Sequence, residues 1–423
     1  MRNDCIRTLS DVAVVVMGQS PPGENCNQQG DGLPLLNGPT EFGHSHPLPS
    51  QFTTDARKLS QAGDLLFCVR GSTTGRMNWA DQVYAIGRGI AAIRHKSNRE
   101  LQPLIRAAVE YNLNNLLQSA TGSTFPNVSA AQLAGVPYPA LEPEYEIAGS
   151  RLLGALDDKI DLNRRMNETL EAMARAIFKD WFVDFGPTRA KIEGRPPYLA
   201  PEVWALFPDR LDEEGKPEGW DRMDLRQAAD VLSGGTPDKS RSEFWGGSIP
   251  WISPKVMTSL HVSTSDELVT PAAIGNGTRM AKSGSVLLMV RGMGLHQGVR
   301  ISQARGDVSF NQDVKALIPR RIAPSHLLFA MLDAAPFLFS KVETSGHGTG
   351  KLPTDIIETV AFVSPTGPEY AQLLAPLEAI NEKIALNNEE NVTLAATRDL
   401  LLPKLMSGEI RVREAEKIVE AAE

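Results

Sequence analysis

Two arginine–glycine pairs give the first chemical signal in this 423-residue chain. Arg70-Gly71 follows the apolar run Leu65–Val69, and Arg291-Gly292 follows Val286–Val290. A guanidinium presents a planar fork of donors that suits phosphate oxygens and the O6/N7 edge of guanine. A glycine beside it lets the backbone approach DNA closely. The plainer alternative is an arginine closing a salt bridge at a strand end. Because the pair occurs twice, it is assigned to phosphate or framework contact. Base reading is then expected from the dissimilar loops that follow: Ser72, Thr73 and Arg76 in one, His296 and Gln297 in the other. Arg88 and Asn311-Gln312 stand at matching places and join the set, since Asn and Gln suit adenine. Lys255 and Arg300 complete the candidate DNA contacts.

Charge distribution bears on the same chemistry. The formal net charge is −8, which taken whole argues against a polyanionic partner. Local charge decides phosphate neutralisation, however. Leu268 to Gly306 contains no acid but holds Arg279, Lys282, Arg291, Arg300 and Arg305. Arg88, Arg94, Lys96 and Arg99 lie between Asp81 and Glu100 with no acid among them. Acids gather elsewhere, as at Asp157, Asp158, Asp161, Asp212, Glu213 and Glu214.

The elements that must position these residues come in duplicate. Leu9…Gly18-Gln-Ser20-Pro21 is echoed by Leu225…Gly234-Gly-Thr236-Pro237, and Pro34 by Pro250, all at a separation of 216 residues. The two Arg-Gly runs are 221 apart, Pro143-Glu-Tyr145 and Pro368-Glu-Tyr370 are 225 apart, and Phe125-Pro126 aligns with Leu352-Pro353 at 227. Ordered matches at nearly constant separation mark a tandem repeat with small loop insertions. Each copy opens with short apolar runs broken by Gly, Pro, Asn and Ser, read as strands, with helical patterning at Leu101–Leu117 and Ser325–Leu338.

Each copy ends in a helix with apolar residues spaced by three and four. The first seam is Leu153, Leu156, Ile160, Asn163, Asn167, Leu170 and Ile177; the second is Leu377, Ile380, Ile384, Asn387, Asn391, Leu394 and Leu401. Such heptads face a partner helix. Asparagines at the same places in both predict an antiparallel pairing in which the four amides meet and fix the register. Trp181, Phe182 and Phe185 crowd the end of the first helix, suited either to core packing or, as preferred here, to docking a partner. The stretch from Thr188 to Trp220, rich in Pro and acids, reads as a connector with a helical patch at Val203–Phe207.

Catalytic motifs fail on inspection. Ser20-Pro21-Pro22-Gly23 lacks the amide and the aromatic that an adenine methyltransferase needs. Pro208-Asp209…Glu214-Gly-Lys216 has nuclease letters within too short a gap for two strands. Gly346 to Lys351 mimics a phosphate loop but lacks its first Gly and its Ser/Thr after Lys. His44, His46 and Glu41 are too sparse for a metal site, so no metal is expected. Cys5, Cys26 and Cys68 fit free thiols in a reducing cytoplasm. No apolar run is long enough to span a membrane and the N-terminus carries no export signal. A protein-binding scaffold without DNA affinity is the remaining alternative.

The chain resembles the specificity subunits of type I restriction-modification enzymes over nearly its whole length. The likeness rests on Met17-Gly-Gln-Ser-Pro-Pro-Gly-Glu24, Ala176-Ile-Phe-Lys-Asp-Trp-Phe-Val-Asp-Phe-Gly-Pro187, Arg189–Arg195 with Pro217-Glu-Gly-Trp220, and Leu400-Leu-Leu-Pro-Lys-Leu-Met-Ser-Gly-Glu-Ile410. Gly186 departs from the pattern, where an acid is expected. The resemblance implies an α+β chain: two tandem mixed α/β target-recognition domains, each followed by a long helix, the helices pairing as an antiparallel coiled coil. The expected divisions are 1–146 for the first recognition domain, 147–185 for its helix and 186–219 for the linker. The second domain is expected at 220–366, its helix at 367–410 and a tail at 411–423. The resemblance also implies a non-catalytic subunit that reads a bipartite asymmetric site in double-stranded DNA. It would dock two methyltransferase subunits and the restriction/translocase subunits, which would hold the S-adenosylmethionine, ATP and Mg²⁺. A helix of about 30 residues is ~45 Å long, slightly more than one ~34–36 Å turn of DNA, as a spacer between two readers requires.

Overall fold

The computed structural model describes residues 7–120, 126–344, 346, 348–407 and 409. Cys5, Phe125 and the tail from 411 lie outside the described residues. The chain forms two compact units: residues up to Arg164 together with those from Glu389 onward, and Arg165–Asn388.

In the first unit four antiparallel strands stand in the order Ala13–Met17, Ile90–His95, Leu65–Cys68, Met77–Trp79. Leu65–Cys68 is buried along its whole length, as expected of a central strand with both faces covered. A second sheet pairs Leu33–Leu36 parallel with Ala85–Ile86 and antiparallel with Gln51–Thr53. The second unit repeats the plan. Its strands run Ala229–Ser233, Val314–Pro319, Val286–Met289, Ile301–Ala304, with His261–Val262 added in parallel at the edge. There Trp245–Ile252 pairs parallel with Val308–Phe310, as Leu33–Leu36 does with Ala85–Ile86. The helical stretches are each two helices, Gln102–Tyr111 then Leu113–Gln118, and Pro324–Asp333 then Ala335–Ser340.

Backbone bonds correct one part of the repeat alignment. Val128 donates to the carbonyl of Val69 and Leu352 to that of Val290, both at 2.9 Å. Leu352 is therefore the counterpart of Val128, and Lys351 that of Asn127. Shared Phe/Leu-Pro lettering misled because a Pro fits several places near a strand end.

Pro143–Phe178 and Tyr370–Ser407 are the long helices, the first opening with Pro, whose missing N–H costs nothing there. Every seam position named from the sequence is buried or half-buried. Within the first unit Leu153, Leu156 and Ile160 share a core with Leu394 and Leu401. Asn163 Nδ2 donates to Asn391 Oδ1 at 3.0 Å and Glu390 Oε2 at 2.6 Å, while Arg398 reaches back to Asp157 at 2.8 Å, which fixes the pair as antiparallel. Within the second unit Asn387 donates to Asn167 at 2.8 Å and Asn167 to Asn388 at 2.9 Å. The amides thus meet two by two rather than as one cluster of four. Asn163→Leu should cost about 1–3 kcal/mol by stranding Asn391, and adding Asn391→Leu should recover most of it. Urea melts of the two single variants and the double variant measure this; additive losses would show that the amides do not act as a pair.

The region after the first helix differs from expectation. The α-helix passes into a π-helical turn at Lys179–Val183, and buried Phe185 takes a left-handed φ of 56°. Gly186–Ile192 and Pro201–Trp204 are helical, so the patch read at Val203–Phe207 is displaced and a second helix went unread. Thr188, Ala190 and Phe207 are buried, so these parts of the connector are packed, while residues 192–198 between them are exposed. Gly186 is explained locally: the Asp180 carboxylate, bonded to Tyr198 at 2.8 Å, fills the place of a Cβ.

Candidate nucleic-acid interface

Most cations in the two basic runs already have a partner within the fold, although Lys96, Arg99 and Lys282 stay exposed. Arg94 makes a two-pronged pair with buried Asp64 at 2.7 and 2.6 Å, which holds its guanidinium pKa above its usual value. Lys96 bonds the Ser10 carbonyl at 2.6 Å, and Arg99 bonds Ala62 and Gln61. In the second run Lys282 pairs with Asp307 at 2.5 Å, Arg300 bonds the Pro254 carbonyl at 2.6 Å, and Arg305 pairs with Glu382 at 2.9 Å. Arg88, Arg279 and Arg291 are exposed without an ion pair among the described residues. Linear charge runs therefore overstated the available charge, and Arg300 is corrected from DNA contact to loop brace.

The shared frame is physical. A Cβ on Gly18 would strike the carbonyls of Ile86 and Gly87, and one on Gly234 those of Phe310 and Asn311. Both glycines thus allow the Ser/Thr-Pro turn to lie against the end of a distant strand, Ala85–Ile86 in the first unit and Val308–Phe310 in the second. Ser20 accepts from the Arg88 N–H at 3.3 Å, and Thr236 donates to Gln312 at 2.5 Å. Gly71 and Gly292 have φ of 99° and 125°, and among the described residues nothing lies within 4 Å of where a Cβ would stand. Backbone conformation, rather than close approach of another chain, is what demands glycine there.

Individual candidates divide on this frame. Arg70 is exposed and bridges to Asn127, with Nε 3.5 Å from its Oδ1. Ser72 and Thr73 are exposed on the turn, and Gln297 and Lys255 are exposed. Lys255 stands 3.5 Å from exposed Asp266, a surface pair of little energy. Arg76 sends its guanidinium to the carbonyls of Pro39 and Phe42 at 3.2 and 3.4 Å, which is a brace rather than a reader. Asn311 is only 6% exposed and closes a turn with Asp313, so it cannot present its amide to a base. His296 bonds the Gly348 carbonyl at 2.9 Å, anchoring a hairpin that sequence reading missed. That hairpin pairs Gly350–Lys351 with both Arg291–Gly292 and Glu343–Thr344. Its only sequence signal was the failed phosphate-loop lettering.

The aromatic patch is also corrected. Trp181, Phe182 and Phe185 are buried with Trp220, Phe207 and Phe178 in the core of the second unit. Fully buried His326 lies among these rings, and burial pushes its pKa down to about 3. Residues covered in this way do not form a docking surface.

Comparison with known proteins bears on this doubled frame. Residues 5–172 match the family model described as the type I restriction modification DNA specificity domain. The chain is 25% identical to the type I restriction enzyme HindI specificity subunit of Haemophilus influenzae, over 88% of this chain and 90% of that one. It is 27% identical to the MjaIX specificity subunit of Methanocaldococcus jannaschii, over 69% of this chain and 65% of that one. Over most of its length the chain is similar to type I restriction-modification specificity subunits. Its fold is similar to the crystal structure of the S subunit from M. genitalium, at 14% identity with a TM-score of 0.55 and 96% of this chain covered. For a specificity subunit, the frame common to both units and the loops that differ between them become separable parts of one task. Among the described residues no helix is long and apolar enough to cross a membrane.

Proposed function

We propose that this specificity subunit reads a bipartite, asymmetric site in double-stranded DNA, one half-site per mixed α/β domain. In this reading the domains are 1–146 and 220–366, 186–219 is the linker and 411–423 the tail, and the spacers expected at 147–185 and 367–410 correspond to the helices Pro143–Phe178 and Tyr370–Ser407. The helices dock two methyltransferase subunits and, through the assembled complex, the restriction/translocase subunits. S-adenosylmethionine, ATP and Mg²⁺ belong to those partners, in the cytoplasm, and this chain does no chemistry itself. One observation carries the reading: two copies of one backbone frame, each with an exposed Arg on a Gly turn, bear different loops around that Arg. Common residues position the phosphate backbone, while sequence is read where side chains differ. Arg70, Arg88 and Arg291 serve as phosphate contacts, and Ser72, Thr73, Gln297 and Gln312 as base contacts.

The test is to express the chain with its methyltransferase partner and map modified adenines across the host genome. A motif of two unlike halves separated by unread bases is expected. A single continuous motif, two identical halves or no motif would overturn the reading.

A further inference from the structure

We infer that the residue held opposite each shared arginine, Lys351 in the second unit and Asn127 in the first, is a specificity-determining base contact. The inference rests on the reading of two DNA-reading domains and adds the residue through which their half-sites diverge. Its first support is equivalence of place. The strand segment carrying Lys351 is tied to Val290 by Leu352, and that carrying Asn127 to Val69 by Val128. In register, Lys351 faces Arg291, and Asn127 faces Arg70. Directly opposed residues of an antiparallel pair project from the same face with Cβ atoms about 4.5–5.5 Å apart. Each arginine is therefore presented beside its partner.

The second support is charge. Arg291 and Lys351 are both exposed, and Lys351 makes no ion pair among the described residues, not even with Glu343, its register neighbour on the other side. The charge field of Arg291 reaches Asp313, whose pKa burial nonetheless raises. Two cations directly opposed destabilise a strand pair. Such a pair is suited to an electron-rich surface laid across both side chains.

The third support is rigidity. The Leu295 side chain lies 2.8 Å from where a Gly350 Cβ would stand, and His296 bonds Gly348 at 2.9 Å. Lys351 thus rises from a fixed ribbon, as precise recognition requires. The chemistry of the pair then differs by unit: an ammonium suits guanine O6 and N7, an amide suits adenine N6 and N7.

The experiment uses Lys351→Asn and Asn127→Lys, each in the full chain assembled with its methyltransferase partner. Modified adenines are mapped, and duplexes altered one base at a time are titrated. Lys351→Asn should lower discrimination at one base of one half-site roughly 10- to 100-fold and leave the other half-site intact, and Asn127→Lys should do the reverse. Uniform weakening across sequences with a shallower salt dependence would identify a phosphate contact and overturn the inference, as would unchanged discrimination. The melting temperature of Lys351→Asn should equal or exceed that of the wild type, because a repulsive pair is removed. A large fall would mark a structural residue and overturn it as well. A wild-type complex that directs no modification would overturn the two-reader reading itself, and this inference with it.

Discussion

Replacing Trp220 with alanine is expected to destabilise the second unit by about 3–5 kcal/mol, the range for removing a large aromatic from a packed core. Trp220 is 2% exposed and lies within 5.6 Å of Phe182, 6.2 Å of Phe185 and 6.3 Å of Phe207, centroid to centroid. It joins the end of the first helix, the linker and the strand Trp220–Asp224, so the cavity left behind opens on three elements at once. For a unit of this size the melting temperature should fall by roughly 6–20 °C, read by calorimetry. Trp220→Phe should cost about 1.5 kcal/mol or less, since an aromatic ring is kept and the buried indole N–H has no partner to lose among the described residues. If alanine and phenylalanine proved equally costly, the argument from ring packing would fail.

Removing four residues from each helix should change the spacing of the DNA site while leaving its sequences alone. Deleting 164–167 and 388–391 retains Asn163 and Asn387, which can then form a single amide pair in a shortened seam. Four residues of α-helix correspond to about 6 Å, or roughly two base-pair steps at ~3.4 Å each. Sites with the original spacing should lose modification, because one half-site is no longer reached and its base contacts are worth roughly 4 kcal/mol or more together. New modified sites should carry the same half-sites one or two base pairs closer. Methylation mapping of the shortened chain beside the full-length chain reads both changes. Altered half-site sequences with unchanged spacing would show that the helices do not set the distance.

The repeat, the strand before each Arg-Gly and the paired helices were all legible in the linear pattern. Each depends on local periodicity or on turn residues whose φ is constrained, as at Gly71 and Gly292. The failures share a different character. Arg76 and Arg300 look like free cations until the fold brings a carbonyl to each. Asn311 looks like an adenine reader until its turn buries it. Trp181, Phe182 and Phe185 look like a docking patch until Trp220 and Phe207 cover them from the other end of the linker. Lys351 looks like no more than the end of a failed phosphate loop until the fold sets it opposite Arg291, far away in the chain.

By itself the sequence determined that there are two similar halves, that each closes a buried strand with Arg-Gly, and that each ends in a helix carrying two seam asparagines. Periodic burial and conformational constraint act over a few residues, so they leave their mark in order and spacing. Only the tertiary structure decided which arginines at those turns remain exposed and which residue stands opposite each. Hydrogen bonds, burial and charge pairing join residues far apart in the chain. The shared Arg-Gly is thus the frame, and its strand partner, Asn127 or Lys351, is where the two halves part.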